Sequence, residues 1–265
     1  MTRWIAAFSA CLLLAAGGAQ AVDIRTETVT YTAGGTEFEG YIAHDADVDG
    51  KRPGVLVVHE WWGLDAHARD RAEALAEAGY TALALDMYGQ GRVADHPDEA
   101  GAMAGAVRQN MERMKRRFTA AEAVLREHDT VDADRVAAIG FCFGGGVVLE
   151  MARQGADLEA VVSFHGTLTT ENRARPGDVE AAILVLHGED DQLVPEEDVD
   201  AFRKEMVASA TDFRLVTYPD AQHAFTNPEA DRYAERFDLP IGYNEEAAEA
   251  SWQEMLGFLE AELRE

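Results

Sequence analysis

"VAAIGFCFGGG", residues 136–146, is the stretch on which the fold turns. The apolar residues 136–139 run straight into Gly140-Phe141-Cys142-Phe143-Gly144. The first part reads as a buried strand, and the glycines as a tight turn opening a helix over 143–154. G-x-C-x-G is the pattern of a strained strand-to-helix turn that lifts a nucleophile clear of a sheet, with cysteine in place of serine. Small flanking residues are needed where the backbone crosses itself. A thiol there lies at a helix N-terminus, whose partial positive charge favours thiolate. The amide of Phe143 then points where an oxyanion would form. The other reading of Cys142 is a small packing residue beside glycines that let a helix approach.

On either side of this turn, strands alternate with helices. "IRTETVTYTA" and "TEFEGYIAHD" alternate polar and apolar residues around Gly34-Gly35 and predict an antiparallel hairpin. "GVLVVHE", "YTALALD", "LEAVVSFHG", "AAILVLHGE" and "DFRLVTYP" predict strands, mostly as the continuous apolar runs of buried ones. Helical spacing covers 66–78, most of 96–128, 196–209 and 245–263. The segment 227–252 is expected to be a loop packed near the site. The alternation implies a mainly parallel central sheet with helices on both faces. Sites in such sheets form at the carboxyl ends of strands. Glu60, Asp86, Cys142, His165, Asp191 and His223 all fall there.

The chain has 265 residues and a formal net charge of −26, from 49 acidic against 23 Lys and Arg residues. That balance argues against nucleic acid and anionic membrane surfaces, which want basic patches. The acids are spread along the chain, as on a well-solvated surface or in a salt-adapted protein whose self-repulsion is screened at high ionic strength. A positive start, an apolar run and Ala19-Gln20-Ala21 predict a signal peptide over 1–21, cleaved near Ala21. Residues 22–265 then form one domain in the periplasm or outside the cell. Removing Cys11 with the leader leaves Cys142 as the only thiol. A lone thiol under oxidising conditions is buried or useful.

Two further residues complete a nucleophile–acid–histidine order. "HGEDDQLVP" offers Asp191, with Asp190 as its rival, and "YPDAQHAF" offers His223. His223 would take the thiol proton, and the acid would fix its tautomer. Alone, the aspartate reads as a turn or cap residue and the histidine as a surface residue. Three such residues at three strand ends, in this order, point to nucleophilic hydrolysis. His59 is expected to be structural, since it precedes Glu60 and points to the other face of the strand. His165 and His187 read as strand-end packing, and Asp86 as a loop-shaping residue. No metal-ligand spacing, GxGxxG or phosphate-binding loop is present, so no cofactor and no metal are expected.

From about Thr30 to its end, the sequence resembles the dienelactone hydrolase family of α/β-hydrolases. The resemblance rests on "VLVVHEWWGLDAHARDRAEALAEAGYTALALDMYG", "RVAAIGFCFGGG", "SFHG", "HGEDDQLVP" and "AQHAFTNP". It implies the α/β-hydrolase fold and selects Asp191 over Asp190 through G-x-x-D-x-x-V-P at 188–195. It implies a triad of Cys142, Asp191 and His223, with the amides of Trp61 and Phe143 as oxyanion donors. It further implies that Glu60 contacts the nucleophile and holds the resting thiol protonated or turned aside. Trp62 and Asn227 would line the substrate pocket. Members acting on dienelactone resemble one another in an arginine where this chain has Asn227. A second carboxylate-binding arginine belongs among Arg108, Arg113, Arg116 and Arg117, which the sequence leaves open. The expected activity is hydrolysis of a small ester, lactone or thioester through an acyl-enzyme on Cys142, by a monomer. The alternative is a non-catalytic thiol sensor or ligand-binding protein on the same fold.

Overall fold

The computed structural model describes residues 22–264, so the expected signal peptide and Cys11 lie outside the described residues. Eight strands form one sheet: β1 (Ile24–Ala33), β2 (Thr36–Asp45), β3 (Arg52–Val58), β4 (Thr81–Leu85), β5 (Val131–Phe141), β6 (Ala160–Phe164), β7 (Ala182–Gly188) and β8 (Phe213–Tyr218). Their spatial order is β1-β2-β4-β3-β5-β6-β7-β8. The last six in that order run parallel. The β1–β2 hairpin turns at Gly34-Gly35, both with positive φ, and β2 joins the parallel block antiparallel to β4.

Helices cover both faces. α1 (Ala66–Glu77) and α7 (Glu245–Glu262) pack on one face, against Val55, Val57, Ile139 and Leu184. α2 (Pro97–Arg108), α3 (Met111–Glu127), α4 (Phe143–Arg153) and α5 (Glu196–Ser209) contribute to the other, with Leu56, Val58, Ala138 and Val185. Alternate residues of each central strand therefore enter different cores. This is why these strands read as continuous apolar runs instead of alternating ones.

Two expectations change. The helical stretch 96–128 is broken at Gln109-Asn110, where Asn110 caps α3 by accepting the Arg113 amide at 2.9 Å. The expected loop after His223 contains a short helix, α6 (Ala230–Phe237). Ala230, Tyr233, Ala234 and Phe237 do recur at helical spacing, but over only two turns, shorter than the window in which periodicity separates a helix from a loop. At the end of β4, Asp86 shapes the loop as expected, accepting the amides of Tyr88, Gly89 and Gly91 at 2.6, 2.8 and 3.0 Å.

Candidate active site

The turn between β5 and α4 is strained. Cys142 has φ 52° and ψ −113°, a conformation that non-glycine residues adopt only when their surroundings impose it. The surroundings are tight. A Cβ at Gly140 would collide with the carbonyl of Gly144, and one at Gly144 with the carbonyl of Val58. Both clashes are with backbone, so neither can relax through a side-chain rotation.

His165 helps to hold this turn. The Cys142 amide donates to the Phe164 carbonyl at 3.0 Å and to His165 Nδ1 at 3.1 Å. Burial keeps the imidazole well below its ordinary pKa, so it is neutral. Nδ1 accepts, Nε2 carries the proton, and that proton goes to Thr226 Oγ1 at 2.8 Å. His165 therefore ties the cysteine turn to the segment carrying His223. Sequence reading gave it only a packing role. The single available signal was its place at the end of β6.

Cys142, His223 and Asp191 meet at the carboxyl ends of β5, β8 and β7. His223 Nδ1 lies 2.8 Å from Asp191 Oδ2. The other Asp191 oxygen accepts the amides of Leu193 and Val194, at 2.8 and 3.1 Å. Asp190 is exposed, while Asp191 is buried. His223 Nε2 faces the thiol and is otherwise unpartnered. Burial opposes charge on both groups, yet each raises the other's ionisation. The thiolate and Asp191 lift His223 to about 10. Against the same burial penalty, His223, Arg108 and the Phe143 amide bring the thiol below its ordinary value. Each group thus favours the charged form of the other.

Glu60 lies beside this pair but is bonded elsewhere. Its Oε2 accepts Asn227 Nδ2 at 2.6 Å, and its Oε1 is buried with no partner. Burial first, then the charges of Cys142 and Asp65, hold its carboxyl well above the ordinary range. The thiol is turned to His223, and the amide of Asn227 occupies Glu60. The Trp61 amide is aimed from behind. Burial keeps His59 neutral, and its Nε2 accepts the Met87 amide at 3.1 Å. Its Nδ1 proton therefore goes to the Glu60 carbonyl. That carbonyl also receives the Gly63 amide at 3.3 Å. In a trans peptide the N–H points opposite the C=O, so the Trp61 amide is turned away from these donors.

A cavity of about 300 Å³ opens over Cys142. Glu60, Trp61, Trp62, His223, Asn227 and Arg108 all line it. Trp62 is buried and stacks on Tyr233 of α6, centroids 4.4 Å apart. Arg108, from the end of α2, has its guanidinium 5.5 Å from the Phe143 ring. Of the four candidate arginines, it is the one that reaches the cavity. Arg113 donates to the Ala106 carbonyl, Arg117 to the Met87 carbonyl, and Arg116 lies against Gly34. Sequence reasoning missed Tyr233, which lies in the segment read as loop. Among the described residues, no group of three or more His, Cys, Asp or Glu side chains is arranged to hold a metal ion.

A mainly parallel sheet of this order, with a strained cysteine turn after its central strand and an aspartate and a histidine after later strands, defines an α/β-hydrolase. The dienelactone hydrolase family profile matches residues 38–263. The chain belongs to that family, and hence among hydrolases of carboxylic ester bonds. It is 30% identical, over 84% of its length and 82% of the relative's, to a Salmonella typhimurium protein provisionally named a carboxymethylenebutenolidase. A solved dienelactone hydrolase-like promiscuous phosphotriesterase from metagenomic libraries is 34% identical, with a TM-score of 0.85, covering 91% of this chain and 99% of that one. A Klebsiella pneumoniae structure provisionally named a dienelactone hydrolase is 29% identical with a TM-score of 0.76, covering 89% of this chain and 98% of that one.

Proposed function

We propose that the protein is an exported cysteine hydrolase that cleaves a small carboxylic ester, lactone or thioester through an acyl-enzyme on Cys142. The observation that carries this reading is the Cys142 thiol on a left-handed turn facing a histidine whose far nitrogen is bonded to a buried aspartate. The thiolate attacks the carbonyl carbon, and the C–S bond forms as the carbonyl π electrons move to oxygen. The amides of Phe143 and Trp61 receive that oxyanion. Collapse breaks the bond to the leaving alcohol, which takes the His223 proton. Water then attacks the thioester, His223 accepts its proton, and the carboxylic acid leaves with the thiolate restored. Asp191 holds His223 in the tautomer this exchange requires.

Asn227 argues for a substrate unlike a dienelactone. Where an arginine would grip a carboxylate, this chain has an amide already bonded to Glu60. Arg108 is then the one guanidinium of its group left to meet a carboxylate or carbonyl oxygen. The aromatic and aliphatic wall of Trp61, Trp62, Tyr233 and Ile241 suits an apolar acyl group. The acyl-enzyme is tested by a pre-steady-state burst with a p-nitrophenyl ester, lost in Cys142→Ala. Export rests on the leader pattern at 1–21. N-terminal sequencing of protein from the periplasmic fraction should begin at Val22; a cytoplasmic product retaining Met1 would overturn it.

A further inference from the structure

A second cavity, of about 280 Å³, adjoins the one over Cys142, and Arg108 and Thr167 line both. It runs along α4. Gly146 and Glu150 line it, one and two turns from Cys142 on the same helix face, a rise of about 12 Å. Gly146 leaves the passage open beside Thr167, whose Cβ a side chain there would meet at 3.3 Å.

The two cavities differ in chemistry. Around the reacting groups, the first is walled by aromatic and aliphatic side chains. The second has an apolar floor of Met111, Met114, Phe143 and Val147, rimmed by Thr167, Thr169 and Thr170, the amides of Gln109 and Asn172, and the carboxylates of Glu150 and Glu171. Glu150 Oε1 receives Arg153 Nη1 at 3.0 Å, whereas Oε2 is buried and has no partner. A buried carboxylate oxygen without a donor is costly, and a small rotation of the Glu150 carboxylate would bring it to a ligand O–H in the cavity. A ligand carboxylate would be repelled there. The hydroxyls and amides around it can both donate and accept, as a group carrying several hydroxyls requires.

We propose that this second cavity binds the alcohol half of the substrate, and that this alcohol is a polyol or sugar. The inference rests on acyl transfer at Cys142. The acyl group lies among Trp61, Trp62 and Tyr233, the carbonyl at Cys142, and the hydroxylated leaving group passes Arg108 and Thr167 toward Glu150.

The test is kcat/KM for three esters of one apolar acid: methyl, 6-O-glucosyl and 2-aminoethyl. p-Nitrophenyl acetate reads the chemistry at Cys142 independently. The glucosyl ester should exceed the methyl ester by about 10-fold, equivalent to one or two hydrogen bonds, mainly through KM. In Glu150→Gln, and separately in Thr169→Val with Asn172→Ala, that ratio should fall toward one. The double variant changes exposed positions, which guards against a folding defect in the first. Equal rates for glucosyl and methyl esters, an unchanged ratio in both variants, or a preference for the aminoethyl ester would overturn the inference while acetate turnover persisted. A wild type inert to p-nitrophenyl acetate would overturn the acyl-transfer reading and this one with it.

Discussion

Single residues decide whether Cys142 can react. The largest influence raising the His223 pKa is the facing thiolate, followed by the bond to Asp191, and together they outweigh burial. Removing the sulfur reverses that balance. In Cys142→Ala, the His223 pKa measured by NMR should fall well below about 10. A value unchanged from the wild type would mean that no ion pair exists. The same pair sets the pH dependence of hydrolysis. Activity should be lost toward acid as the thiolate gains a proton, at a pH below the ordinary thiol value. It should be lost toward alkali near pH 10, as the imidazolium gives up the proton it must hand to the leaving group. Much at this scale was legible in the sequence. G-x-C-x-G fixes a turn that only glycines at 140 and 144 permit, and Asp191 and His223 follow in the required order. The Asn227–Glu60 bond and the hold of His165 on the Cys142 amide were not legible. Each joins residues far apart in the chain, and neither leaves a local pattern.

Among the elements, α6 has most effect on specificity and least on stability. It is eight residues long and meets the site through Ala230, Phe237 and, most closely, Tyr233 stacked on Trp62. Losing an aromatic pair of this kind costs about 0.5–1.5 kcal/mol beyond buried area. Tyr233→Ala should therefore raise KM for apolar esters by roughly 10-fold and leave kcat nearly intact. Its Tm should fall by no more than about 4 °C. A kcat loss with unchanged KM would place Tyr233 in the chemistry and not in the wall. The strands were readable because burial on both faces writes them as apolar runs. α6 was not, because its apolar residues Ala230, Tyr233, Ala234 and Phe237 span only two turns, too short a stretch to stand out from the loop around it. The break between α2 and α3 was hidden for another reason: Gln109 and Asn110 are polar on an exposed surface, where helix and turn demand the same residues.

At the scale of the whole molecule, the net charge of −26 is spread over a surface that must stay folded against its own repulsion. Salt shortens the reach of that repulsion from about 10 Å at 0.1 M to about 3 Å at 1 M. The Tm should rise steadily from low to molar NaCl; a flat profile would mean the charges are already balanced locally. The hairpin, the parallel block and the two helical layers have one consequence for function: they bring Cys142, Asp191 and His223, remote in sequence, to the same sheet end. Stopped-flow hydrolysis of a short p-nitrophenyl ester by the purified protein, beside Cys142→Ala, tests that consequence most directly. The account predicts a burst of about one p-nitrophenol per active site in the wild type and none in the variant. A burst that survives in Cys142→Ala, or no turnover in either protein with the thiol inert to alkylation, would contradict it.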